Sequence, residues 1–249
     1  MVGNLWIDFG KNKQPVQNYL RGIDLSTSRG FVEYTQGCVQ FNREYFCSYP
    51  DKLMALHFTA DKAGKISFSL SHSLVYQPEE VIESENGLTF NGIIRENGLG
   101  YTIRIKIVQQ GGSVKVTHQR IVVEKANEAT VFYAIDTEYA PIYPLYKGEN
   151  PQQNTGKVIT KAITKGYKTV KNTHISDYQT LYNRVRFTLT GDTASEQLPT
   201  NVRVKQLQEG FTDDASLKVL GFNLSRYLLI SASRPGTLPS TLQGVWNTF

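Results

Sequence analysis

Cysteine is scarce in this chain: Cys38 and Cys47 are the only two among 249 residues. That excludes the disulfide scaffold on which small secreted domains depend. On one extended strand the two would stand roughly 30 Å apart, and a disulfide tolerates a Cα separation of only about 7 Å. Both are therefore expected as small buried thiols. Long apolar runs are missing too. With no uncharged apolar stretch of about 18 residues, no membrane-spanning helix is expected. The opening MVGNLWIDFG has no basic segment leading into an apolar one, so no signal peptide is read there. The 20 glycines follow no period, which excludes collagen. Charge of one sign is also lacking. Lys and Arg total 27 against 22 Asp and Glu, a formal net charge of +5. Basic residues are spread among acidic neighbours, so no nucleic-acid partner is expected.

What is present is the composition of a globular protein, 40% apolar and 20% charged, long enough for one large domain or two smaller ones. The first part reads as β. Ile66, Phe68 and Leu70 alternate with serines. Tyr101, Ile103, Ile105 and Ile107 alternate with Thr102, Arg104 and Lys106. Gln36-Gly37, Lys62-Ala63-Gly64, Asn86-Gly87, Asn97-Gly98 and Gly111-Gly112 punctuate the runs. Many short strands with turns at this spacing predict an antiparallel sandwich.

Residues 140–154 shift to Pro, Gly, Asn and Gln and read as a boundary loop. A helix is predicted next, capped by Asn154 or Thr155, with Val158, Ala162, Ile163, Tyr167 and Val170 as its apolar stripe. Lys157, Lys161, Lys165, Lys168 and Lys171 are expected on one helical face with no acidic partner. No aromatic residue interleaves with them, so a solvated face is favoured over a basic binding surface. A second short helix is expected at THISDYQTLYNRVRF. A third is capped by Thr212 or Asp213, with Leu217, Leu220, Leu224 and Leu228 along one side, and Pro235-Gly236 stops it.

Reaction parts are few. His57, His72, His118 and His174 are scattered without metal-ligand spacing, and neither a nucleophile elbow nor a phosphate loop occurs. Asp136 and Glu138, two apart at a strand end, could share a face as an acid/base pair, although a solvated strand end is the commoner meaning. The segment SASRPGTLPSTLQGVWNTF gathers Arg234, Gln243, Trp246 and Asn247. Fork-like donors and acceptors beside a flat indole suit a sugar, whose hydroxyls need a network and whose C–H face stacks on a ring. A structural loop around a buried Trp explains the same residues equally well.

The run YLLISASRPGTLP followed by LQGVWN resembles a hallmark stretch of glycoside hydrolase family 95, α-L-fucosidases with some members acting on α-L-galactosides. GNLWIDFG, the stretch from YLRGIDLSTSRG to FCSYPDK, TADKAGKISFSL, and HISDYQTLYNRVRF with LPTNVRV match in order. Thr241 stands where the family usually has Asn, and Asn201-Val202-Arg203-Val204 replaces a more acidic version. The resemblance implies a mainly β fold. An antiparallel β-supersandwich (residues 1–140, N-terminally incomplete) precedes a helical linker (141–211) and the start of an (α/α)6 barrel (212–249). A whole barrel needs well over ~200 residues, so a fragment is expected. The family's general-acid Glu, its base Asp and the Asn pair that positions water fall beyond Phe249 in sequence order. No catalytic residue is carried onto this chain. The resemblance implies inverting hydrolysis of terminal α-L-fucosyl linkages. The partners would be a fucosylated oligosaccharide or glycan and the remainder of the barrel, and no cofactor, metal or membrane is called for. Substrate-binding positions would be Arg234, Gln243, Trp246 and Asn247. The alternative is a non-catalytic carbohydrate-binding or structural β-sandwich module. Complete members of the family are often exported, and the compartment of this protein stays open.

Overall fold

The computed structural model describes residues 3–11, 13–191, 194–210, 213–237 and 240. They form two compact units. One comprises the residues up to Asp24 with Arg29–Ile175, the other Leu25–Ser28 with the residues from Ser176 on.

The first unit is a sandwich of two antiparallel sheets. The smaller sheet, in the order β1-β6-β11-β10, contains β1 (Gly3–Asp8), β6 (Ile66–Leu74), β10 (Ser113–Thr117) and β11 (Arg120–Ala126). The larger, β2-β3-β4-β5-β12-β9-β8-β7, contains β2 (Val16–Asp24), β3 (Arg29–Gln36), β4 (Val39–Ser48), β5 (Leu53–Ala60), β7 (Glu80–Ser84), β8 (Gly87–Ile94), β9 (Leu99–Gln110) and β12 (Glu128–Thr137). The two-residue period decides the faces. Ile66, Phe68 and Leu70 are buried against Ile103, Ile105 and Ile107 in one core, while Ser67 and Ser69 turn away. All five turn signals fall at the junctions of successive strands, with Gln36 closing β3 and Gly87 opening β8. Gly112 has φ 64°, and a Cβ there would sit 2.2 Å from the Glu124 carbonyl, so only glycine fits. One tight turn carried no glycine signal. His118 and Gln119 take φ 49° and 58° between β10 and β11.

The larger sheet does not leave its second face to water. The long helix α1 (Pro151–Tyr182) crosses it, and Ile159, Ala162 and Val170 pack on Phe46, Leu53, Ala55, Phe132 and Ala134. Thr102, on the polar side of β9, is consequently buried, and Arg104 donates to the Gln152 carbonyl at 3.2 Å. The cap lies earlier than the expected Asn154 or Thr155. Asn150 Oδ1 accepts from the Gln152 and Gln153 amides at 2.8 and 3.2 Å, with Pro151 in the first helical position. The expected second helix is not separate: α1 continues to Tyr182, and its one break is at Gly166 (φ 74°, ψ 157°). Val185 and Phe187 are not helical. Cys38 and Cys47 are free thiols, as expected, but exposed rather than buried. Cys38 sits in the β3–β4 turn with φ 58°, and Cys47 alternates outward from β4.

In the second unit, Tyr178 donates to the Leu25 carbonyl at 2.8 Å and Arg226 to the Tyr182 carbonyl at 2.6 Å. Helix α2 (Thr200–Gln208) is joined to α3 (Ala215–Ala232) by a buried fork: Arg203 meets both Asp214 carboxylate oxygens at 2.8 and 2.9 Å. Asp214, rather than Thr212 or Asp213, caps α3, accepting from the Leu217 amide at 2.9 Å. Of the expected leucine stripe, Leu217 is buried and Leu224 is 41% exposed.

Candidate functional site

The acid pair read at the end of β12 is taken up by structure. Asp136 accepts from Asn154 Nδ2 at 2.9 Å and from the Thr137 amide. Glu138 pairs with Lys147 at 2.7 Å and accepts from the Gly100 amide, and these bonds hold its carboxyl below the usual range. Both carboxylates are thus engaged in bonds that fasten the strand end to its neighbours.

The lysine face is divided by the Gly166 break, and it is not without acidic partners. Lys165 reaches Asp51 at 2.6 Å, and Lys171 reaches Glu44 at 2.7 Å, both across from the helix on the sheet. Lys157, Lys161 and Lys168 are exposed.

Beneath the break lies a polar cleft of about 590 Å³, bounded by β4, β5, β12, the end of β9 and the second segment of α1. Glu44 is its centre. Its carboxylate accepts from Tyr167 Oη at 2.5 Å, from Lys171 Nζ at 2.7 and 2.8 Å, and from Arg29. Burial alone would raise this carboxyl. The hydrogen bonds from Lys171 and Tyr167 and the cations Lys171 and Arg29 outweigh it and leave the group below the usual carboxylate range. His57 stacks on Tyr167 with ring centres 3.8 Å apart, and its Nδ1 lies 2.8 Å from Thr130 Oγ1. Burial lowers its pKa to about 4, Glu44 opposing and Lys171 adding to the effect. Burial first, then the bond and charge of Glu44, pushes the Tyr167 phenol far up. Near pH 7 the cluster is an ionised acid, a neutral imidazole and a neutral phenol. It can bind through hydrogen bonds, but no member is matched to proton transfer. Asn42 Oδ1, on the same rim, is buried with no partner among the described residues. Sequence reading missed this cleft, since its members come from four strands and a helix. The one local signal was Gly166 inside a helical run.

Of the positions read as sugar-binding, Arg234 is described. Its guanidinium is 10% exposed and donates to Asp177 at 2.5 Å, just beyond the end of α3. Gln243, Trp246 and Asn247 lie outside the described residues. Among the described residues no three His, Cys, Asp or Glu side chains gather as a metal site requires, and no helix is long and apolar enough to cross a membrane.

Comparison with known proteins places this architecture. Residues 1–141 match the family described as Glycosyl hydrolase family 65, N-terminal domain, and residues 166–249 match Glycosyl hydrolase family 95 catalytic domain. An Aspergillus niger protein named probable alpha-fucosidase A is 30% identical over 99% of this chain and 32% of its own length. Alpha-L-fucosidase 2 of Arabidopsis thaliana is 30% identical over 99% of this chain and 33% of its own. The chain thus spans about a third of the length of these curated relatives. A solved structure from human microbiome, provisionally assigned as a kojibiose phosphorylase, shares the fold with a TM-score of 0.51. It is 9% identical, over 73% of this chain and 28% of that one. A sandwich matched over more than half of the chain means that the chain belongs to the glycosyl hydrolases with the family 65 type of N-terminal domain, and its later part is similar to the family 95 catalytic domain.

Proposed function

We propose that these residues are the sandwich, the linker and the opening barrel helix of an exo-acting hydrolase of the α-L-fucosidase type, with boundaries near residues 140 and 211. The observation that carries this reading is the likeness to α-fucosidases over 99% of the chain, joined to a family 95 catalytic match from residue 166. The substrate class is a fucosylated oligosaccharide or glycan. One carboxylic acid protonates the departing oxygen, and a carboxylate on the opposite face activates water, so the anomeric centre inverts. Both carboxyls belong to barrel residues that follow this stretch.

The contribution of the present residues is to the pocket border. Gln243 and Asn247 supply paired donors and acceptors for sugar hydroxyls, and the Trp246 indole supplies a flat surface for the C–H face. Arg234, which precedes them in sequence and is held by Asp177, would add a guanidinium to the same border. In a complete enzyme carrying these residues, Trp246→Ala lowers kcat/KM for an aryl α-L-fucoside by about 5- to 150-fold, roughly 1–3 kcal/mol of transition-state binding. Unchanged kinetics in a folded variant would assign the loop to structure alone.

A further inference from the structure

A second cleft, of about 680 Å³, opens at the end of the sandwich where β2 and β3 carry the larger sheet past β1. Its wall is aromatic: Phe9, Tyr19, Tyr34 and Phe41 line it, and Tyr19 is 55% exposed. Its charge is one-sided. Lys11, Arg43 and Lys65 line it, and no carboxylate does among the described residues. Alternation puts Glu33 and Glu44 on the opposite face of the sheet. Asp8 and Asp61, the nearest acids along the chain, accept from the Gly10 and Gln40 amides at 2.8 and 2.9 Å.

Arg43 is held in place. Its guanidinium lies 3.5 Å from the Phe9 ring centre, and Nη2 donates to Tyr34 Oη at 2.7 Å. A stacked guanidinium, hydrogen-bonded to Tyr34 and to Tyr45, keeps its plane fixed on the wall of the cleft, which is the preorganisation that planar carboxylate recognition rewards. Lys11 and Lys65 are exposed point charges on the same rim. Aromatic faces beside a fixed fork match a pyranose bearing a carboxylate: ring C–H groups on Tyr19 and Phe41, carboxylate on Arg43. The volume admits one or two sugar rings.

We propose that this cleft binds the uronate residue of an acidic glycan. The assignment rests on the cleft alone and is independent of the fucosidase reading. It is tested on the 249-residue chain by saturation-transfer NMR and calorimetry at low salt, with digalacturonate, neutral galactobiose and inorganic phosphate as probes. Digalacturonate receives saturation and galactobiose binds at least about tenfold more weakly, since a charged hydrogen-bonded contact is lost. Arg43→Met weakens digalacturonate about tenfold or more. Tyr19→Ala and Lys65→Ala, both at exposed positions, weaken it several-fold and keep the test open should Arg43→Met misfold. Lys157→Ala, remote on α1, changes nothing. Equal binding of galactobiose, full displacement by equimolar phosphate, indifference to all three cleft variants, or no binding of digalacturonate would each overturn the proposal.

Discussion

Replacing Glu44 by Gln tests the join between the larger sheet and the second segment of α1. Gln keeps the shape but removes the charge that Tyr167, Lys171 and Arg29 share. The side chains of Glu44, Lys171 and Arg29 are 16%, 25% and 21% exposed. The cost therefore falls between that of a surface pair, about 0–1 kcal/mol, and that of breaking a buried one, roughly 3–5 kcal/mol. An intermediate loss of about 2–3 kcal/mol is expected, because two partly desolvated cations lose their common anion. Urea denaturation followed by circular dichroism reads it as a lower midpoint at unchanged slope. The double variant Glu44→Gln, Lys171→Met recovers about 1 kcal/mol, since one stranded cation has gone. Glu209→Gln, which removes the exposed helical pair with Lys205, stays within about 0.5 kcal/mol. A Glu44→Gln loss no larger than that control would refute the reasoning.

His57 makes stability depend on pH. Its folded pKa of about 4 lies below the ordinary 6.5, so below pH 6.5 the unfolded chain binds the extra proton. Its contribution is complete above pH 6.5 and is lost as pH falls towards 4, by up to about 3 kcal/mol at ~1.4 kcal/mol per unit. His57→Gln flattens that limb of the profile, and an unchanged limb would remove the assignment. Gly166→Ala destabilises by roughly 1–3 kcal/mol, because φ 74° with ψ 157° is glycine backbone although a Cβ would meet open space. In an unbroken helix the same change stabilises by about 1 kcal/mol, so the sign of the urea shift decides. Cys38 and Cys47 both react with a thiol reagent in the folded chain, and reaction only after unfolding would contradict their exposure.

Strands and turns were legible because a two-residue period and glycine-bearing turns are local signals. Ile66, Phe68 and Leu70 announce their face within five residues. The His118–Gln119 turn was not, since non-glycine residues take positive φ there under the demands of pairing between β10 and β11. The partners of the lysines were hidden for a different reason. Lys165 meets Asp51 and Lys171 meets Glu44 across 114 and 127 residues of chain, which no helical wheel registers. A wheel also treats 154–171 as one continuous helix, so the break at Gly166, and with it the polar cleft, could not be drawn. The caps were misplaced by one to five residues because Asn150, Asn154, Thr155, Thr212, Asp213 and Asp214 are all competent cap residues. Only the backbone geometry selects Asn150 and Asp214. The candidate sugar-binding residues were named from family resemblance and side-chain chemistry, and of them Arg234 alone has a described position, against Asp177.

The central claim is that these residues belong to an inverting α-L-fucosidase whose carboxylates lie in the barrel residues that follow. The most direct measurement is proton NMR of aryl α-L-fucoside hydrolysis, comparing the complete enzyme with the 249-residue chain alone. The account predicts β-L-fucose as the first anomer released by the complete enzyme and no sustained turnover by the chain. Appearance of α-L-fucose first would contradict inversion. Turnover by the isolated chain, abolished by Asp136→Asn with Glu138→Gln, would place the catalytic centre in the sandwich instead.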